Sequence, residues 1–134
     1  MSKSSDTRWL YRVEDELFKH NGYANAIRPM AFLRRVAKRI WRAVASGRPL
    51  PRIVAGRGTW SYDRLASYCE GRSRIVLARD HRNVLVLLHE LVHALGPCLH
   101  GPKFIRVYFP LLQRYAGYSR WFLQAVAGAR GVWI

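Results

Sequence analysis

Between Trp9 and His20, apolar side chains fall at Leu10, Val13, Leu17 and Phe18. That is the three- and four-residue spacing of an amphipathic helix, and Asn21-Gly22 is the turn signal that ends it. Pro29 suits the start of a second helix. From Ala31 to Ala45 its apolar set is Phe32, Leu33, Val36, Ile40, Trp41 and Val44, while the opposite face carries Arg34, Arg35, Lys38, Arg39 and Arg42. Gly47, Pro49 and Pro51 stop it. From Arg52 to Ala78 the rhythm changes to short β-prone runs, Ile53-Val54-Ala55, Thr59 to Tyr62 and Ile75-Val76-Leu77, separated by Gly56, Gly58 and Gly71. These predict three strands in a small antiparallel or mixed sheet. Tyr68-Cys69 either extends the middle strand or lies in the connection.

The segment from about Arg82 to Leu95 is the most apolar in the chain, with Val84 to Leu88, Leu91, Val92 and Leu95. Apolar residues surround nearly its whole circumference, which predicts a central, buried helix ended by Gly96-Pro97. Phe104 to Tyr115 predicts another helix, with Pro110 as a kink or an interruption. Ser119 to Ala129 predicts a short last one. The expected fold is α+β: a small sheet of about three strands beside a central helix, with flanking helices. It forms one domain over residues 7–134, after a flexible terminus of residues 1–6.

Composition sharpens this picture. The chain has 134 residues, half of them apolar or aromatic, which is enough for one core and excludes a disordered tail. Twenty-three Lys and Arg face eight Asp and Glu, a net charge of +15. Self-repulsion of that size favours a polyanionic partner, DNA or RNA, and arginine suits bidentate phosphate contacts. The row Arg34, Arg35, Lys38, Arg39 and Arg42 is the best candidate face; its competing reading is the solvated side of a core helix. Two cysteines, Cys69 and Cys98, make no disulfide framework. The N-terminus lacks the pattern of a signal peptide, and Val84 to Leu88 is too short to cross a membrane. A cytoplasmic chain without membrane contact is the expectation.

Chemistry enters at His89-Glu90-Leu91-Val92-His93, an H-E-x-x-H pattern. Four residues apart on a helix, His89 and His93 stand on one face and can share a metal ion. Glu90 is turned about a quarter of the circumference away, where it can act as a base toward a metal-activated water without being a ligand. Three ionisable groups within the most hydrophobic segment are costly unless they serve one purpose, and a metal supplies it. A third ligand must come from beyond the helix. His100 lies seven residues after His93, and Gly96 permits the chain to leave the helix and fold back. Cys98 and His81 are the competing ligands. Three histidines with an open position suit a catalytic Zn²⁺ rather than a closed structural one.

His89 to His93 followed by His100-Gly101-Pro102-Lys103-Phe104 resembles the SprT-like zincin metalloproteases, where H-E-x-x-H precedes a downstream H-G-x-x-F. Together with Leu10-Tyr11-Arg12-Val13-Glu14-Asp15-Glu16, it resembles a family of small metallohydrolases from bacteria and phages still more closely. The resemblance implies a zincin-like domain, Zn²⁺ ligands at His89, His93 and His100, and a catalytic base at Glu90. It implies a protein or peptide substrate, and the Spartan-type members act on proteins crosslinked to DNA. The rival class is a nucleic-acid-binding or virion-associated protein that keeps zinc for stability and cuts nothing; Glu90 favours the enzyme. Trp60, Tyr62 and Tyr68 either line a cleft or pack the core. Glu14, Asp15 and Glu16 either pair with nearby arginines or support a ligand histidine. None of the seven tyrosines is singled out as an oxyanion donor.

Overall fold

The computed structural model describes residues 5–19, 21–56, 73–97 and 99–134, and the backbone of 67–70. Helix α1 (Ser5–Lys19) begins earlier than the apolar pattern predicts, so Ser5 and Asp6, read from sequence as terminus, are helical. Its buried residues Leu10, Glu14 and Leu17 share one face, so a carboxylate lies among core positions. Asn21 then caps a single turn, α2 (Gly22–Asn25), by accepting from the Ala24 N–H at 3.1 Å.

Helix α3 (Met30–Val44) starts behind Pro29 and buries Leu33, Ala37, Ile40 and Trp41. Gly47, at φ +87°, turns the chain, and the Trp41 indole donates to the Arg48 carbonyl at 3.0 Å. The sheet has three strands in the order β1-β3-β2. Strand β1 (Arg52–Ala55) runs parallel to β3 (Arg74–Leu77), in register Ile53 with Ile75. Strand β2 (Ser67–Glu70) pairs antiparallel with β3, Cys69 opposite Ile75. The Tyr68-Cys69 segment is therefore a strand in its own right. The expected strand at Thr59–Tyr62 lies outside the described residues, and so does Trp60.

Helix α4 (Val84–Leu95) is the centre of the core, packed against α2, α3, β2, β3 and α5 (Pro102–Ala116). Asn83 caps it, accepting from the Val86 N–H at 2.9 Å. Gly96, at φ +145°, ends it in a backbone conformation that only glycine adopts without strain. Pro110 lies inside α5, which continues through it as a helix rather than being interrupted. Pro110 and Arg106 are both exposed, so water can serve the Arg106 carbonyl that Pro110 leaves without its N–H partner. Helix α6 (Arg120–Ala129) closes the chain. No described helix is long and apolar enough to cross a membrane.

Candidate metal centre

Among the described residues, three polar side chains are buried within this core: Glu14, Asn83 and Glu90. Asn83 is accounted for as the cap of α4. Glu14, on α1, meets His89 of α4, and Glu90 lies within the H-E-x-x-H turns themselves.

His89 and His93 project from one face of α4 with ring centroids 5.1 Å apart. The chain turns at Gly96 and returns His100 to them. His100 Nε2 lies 3.1 Å from His89 Nε2 and 3.1 Å from His93 Nε2. The Phe104 ring, one turn into α5, sits 4.9 Å from His89, 4.9 Å from His93 and 5.0 Å from His100. It forms the apolar floor of the cluster.

Each ring is held from behind through its Nδ1. His89 Nδ1 lies 2.8 Å from Glu14 Oε2, His93 Nδ1 lies 2.8 Å from the Pro97 carbonyl, and His100 Nδ1 lies 3.0 Å from the Thr7 hydroxyl. A carboxylate and a carbonyl only accept, so His89 and His93 carry their protons on Nδ1 and, when neutral, turn Nε2 lone pairs inward. Thr7 accepts or donates, so His100 can do the same. Three inward lone pairs repel one another unless a proton or a cation sits between them. Around one ion at about 2.0–2.1 Å, tetrahedral ligands stand about 3.3–3.4 Å apart, close to the 3.1 Å contacts found here. His89, His93 and His100 thus form a group that can hold a metal ion.

The proton affinities suit that use. Burial, together with the charges of His89 and His93, pulls the His100 imidazole down to about 4. Burial also lowers His93, outweighing the Pro97 hydrogen bond. For His89, burial again lowers the value, but the charge and hydrogen bond of Glu14 and the charge of Glu90 outweigh it and hold the ring above its ordinary range. Glu14 is itself fixed by the Tyr108 hydroxyl, which donates to Oε2 at 2.6 Å from a fully buried position.

Glu90 is 5% exposed and makes no hydrogen bond or ion pair among the described residues. Burial pushes its carboxyl up to about 7, against the pull of His89 and with the push of Glu14.

Compared with known proteins, the chain matches no family model, no curated protein and no solved structure.

The structure brings His89, His93 and His100 together, and Glu90, next to His89 on α4, is near enough to influence its charge. His81 lies in a 3-10 turn (Arg79–His81) before the other end of α4 and is not part of the group. Cys98 lies outside the described residues. Of the acidic trio, Glu14 supports a histidine, while Asp15 and Glu16 are exposed and Glu16 pairs with Lys19 at 3.1 Å. The sequence pattern did not single out Thr7, Tyr108 or the Pro97 carbonyl. One signal was present: Thr7, Tyr11 and Glu14 follow the spacing i, i+4, i+7, a polar stripe on a helix that otherwise faces the core.

The five basic residues of α3 are all exposed but do not converge. Arg34 Nε donates to the Ile53 carbonyl at 3.0 Å, and the Arg39 guanidinium lies 5.6 Å from the Tyr115 ring centre.

Proposed function

We propose that the chain is a zinc-dependent hydrolase of the SprT-like zincin kind, cleaving peptide bonds in proteins associated with nucleic acid. One observation carries this reading. A buried carboxylate with no partner among the described residues, Glu90, follows directly on the first of three histidines whose outer nitrogens are all engaged and whose inner nitrogens meet. A structural zinc site has use for the histidines and none for Glu90.

His89, His93 and His100 would hold the zinc, which acidifies a water and polarises a carbonyl. Glu14, the Pro97 carbonyl and Thr7 fix the three rings in the ligating tautomer and orientation. Glu90 takes the proton from the attacking water and returns it to the leaving nitrogen, a double duty that suits a carboxyl near pH 7. The apolar floor of Phe104 keeps bulk water from the rear of the cluster. The exposed cations of α3 support the nucleic-acid part, through backbone phosphates rather than bases.

Glu90→Gln tests the chemistry. The variant keeps the size of the side chain but cannot accept a proton. Metal analysis of the purified variant is expected to show the wild-type zinc content, while cleavage of unfolded casein falls roughly 100- to 10,000-fold. An unchanged cleavage rate would end the hydrolase reading even with zinc in place.

A further inference from the structure

Helix α6 is apolar on every side, yet only one side is covered. Leu123 and Ala127 are buried. At about 100° per residue, Trp121, Phe122, Ala125, Gly128 and Ala129 fall within one arc of about 120° on the other side, and all five are exposed. Trp121 is 82% exposed and Phe122 44%. The nine residues from Trp121 to Ala129 carry no charge, in a chain with 23 Lys and Arg. Past the helix end, Gly131 turns at φ +76° and the Val132 N–H returns to the Ala127 carbonyl at 2.9 Å. Val132 is thereby buried, while Trp133 stands 82% exposed. A helix that is apolar all round is ordinarily covered all round, so an exposed arc of this kind marks a contact surface.

The charges around the arc select its partner. After Glu90 the chain has five Lys and Arg, all exposed, and no Asp or Glu. Arg120 precedes the arc, and Arg130, paired with Asp6 at 3.2 Å, follows it. A second copy of the chain would set these cations against their own kind. A nucleic-acid strand repeats its charge at every step, and nine uncharged residues offer its phosphates nothing. An anionic lipid surface suits both features. Tryptophan and phenylalanine enter the boundary between headgroups and acyl chains, and the flanking arginines meet the headgroups. We infer that the outer face of α6 docks on an anionic membrane surface. The helix lies in the plane of that surface, since its 10 residues are too few to cross. This surface is separate from the histidine cluster and needs no metal.

The test sediments the full chain with vesicles of phosphatidylcholine, alone or mixed with phosphatidylserine. A second set carries bromine on the acyl chains, which quenches tryptophan that has entered the bilayer. The wild-type chain should bind the vesicles that contain phosphatidylserine and lose fluorescence on the brominated ones. Trp121→Ser/Phe122→Ser keeps the net charge of +15 and removes both rings from the arc. It should bind roughly tenfold or more weakly and lose most of the quenching. Each single substitution should weaken binding in the same direction, which keeps the test intact if the double variant fails to fold. Equal binding and quenching in wild type and variants would mean adsorption by net charge alone and overturn the inference. Equal binding to vesicles with and without phosphatidylserine, or binding to neither, overturns it as well. Self-association of the wild type that these substitutions abolish, without lipid binding, would assign the face to a second copy instead.

Discussion

At the histidine cluster, each polar group is answered by one from a distant part of the chain; along the outer face of α3, five cations stand in a row and share no common focus. His89 meets Glu14 across 75 residues and His100 meets Thr7 across 93. On α3, Arg34 turns to β1, Arg39 turns to α5, and Arg35, Lys38 and Arg42 have no such contact among the described residues. Convergence from several elements is costly to assemble and specifies one small object. A row on one helix arises from its own spacing and specifies only a charged surface. The cluster therefore supports a defined ligand, and the row supports at most a partner whose charges repeat.

The largest effects are expected where the cluster is cut. His93→Ala should lose stoichiometric metal on purification. Glu14→Ala removes no ligand, but it strips His89 Nδ1 and the buried Tyr108 hydroxyl of their shared acceptor. Metal affinity should fall roughly ten- to a hundredfold. Stability should fall by about 3 kcal/mol, since each orphaned buried group costs about 1–3 kcal/mol. Chelator competition and denaturant unfolding measure the two. Full metal affinity in Glu14→Ala would mean that the cluster does not depend on the Glu14 carboxylate, and the contrast with α3 would lose its strongest support.

Much of this architecture could be read in advance, for a physical reason. The helices from Ala31 to Ala45 and from Arg82 to Leu95 carry long apolar periodicities, and Pro29 and Gly96 mark a start and a stop that depend only on backbone geometry. His89, Glu90 and His93 were legible because four-residue spacing alone puts the two histidines on one face. The strand at Tyr68-Cys69 was ambiguous, because four residues hold too little periodicity to separate a strand from a connection. Thr7 and Tyr108 were not found because their roles exist only once α1 and α5 dock on α4. Tertiary contacts between residues so far apart in sequence leave no local trace except a polar stripe where an apolar one is expected.

A middle-sized effect separates Glu90 from an ordinary core residue. Its carboxyl is raised to about 7 in the folded metal-free chain, above the value of about 4.5 for an open carboxyl. Between these values the folded state binds the extra proton, so stability is greatest below about 4.5 and is lost as pH rises through about 7. Glu90→Gln cannot ionise and escapes that loss. In chelator-treated protein the variant should be more stable than wild type at about pH 8 by on the order of 3 kcal/mol, with the advantage vanishing near about pH 4.5. Thermal unfolding at several pH values reads this directly. A pH-independent difference would mean that Glu90 is solvated after all.

The smallest effect on the fold is expected from α3, and there the comparison can be broken from the other side. Arg34 and Arg39 have structural contacts, so reversing Arg35, Lys38 and Arg42 to Glu changes the charge of the face while sparing those contacts. Exposed substitutions of this kind stay within about 0.5 kcal/mol each, and metal content should not change. Binding to duplexes of unrelated sequence should weaken by similar factors, because backbone phosphates are alike in all of them. The slope of log affinity against log salt should flatten by about 0.9 for each phosphate no longer neutralised, hence by about two to three. Fluorescence anisotropy across a salt series measures both. Unchanged affinity and slope would move the polyanion site elsewhere on a surface of net charge +15. Loss of metal along with binding would show the two regions to be coupled, and the row on α3 would then belong to the same machine as the histidines.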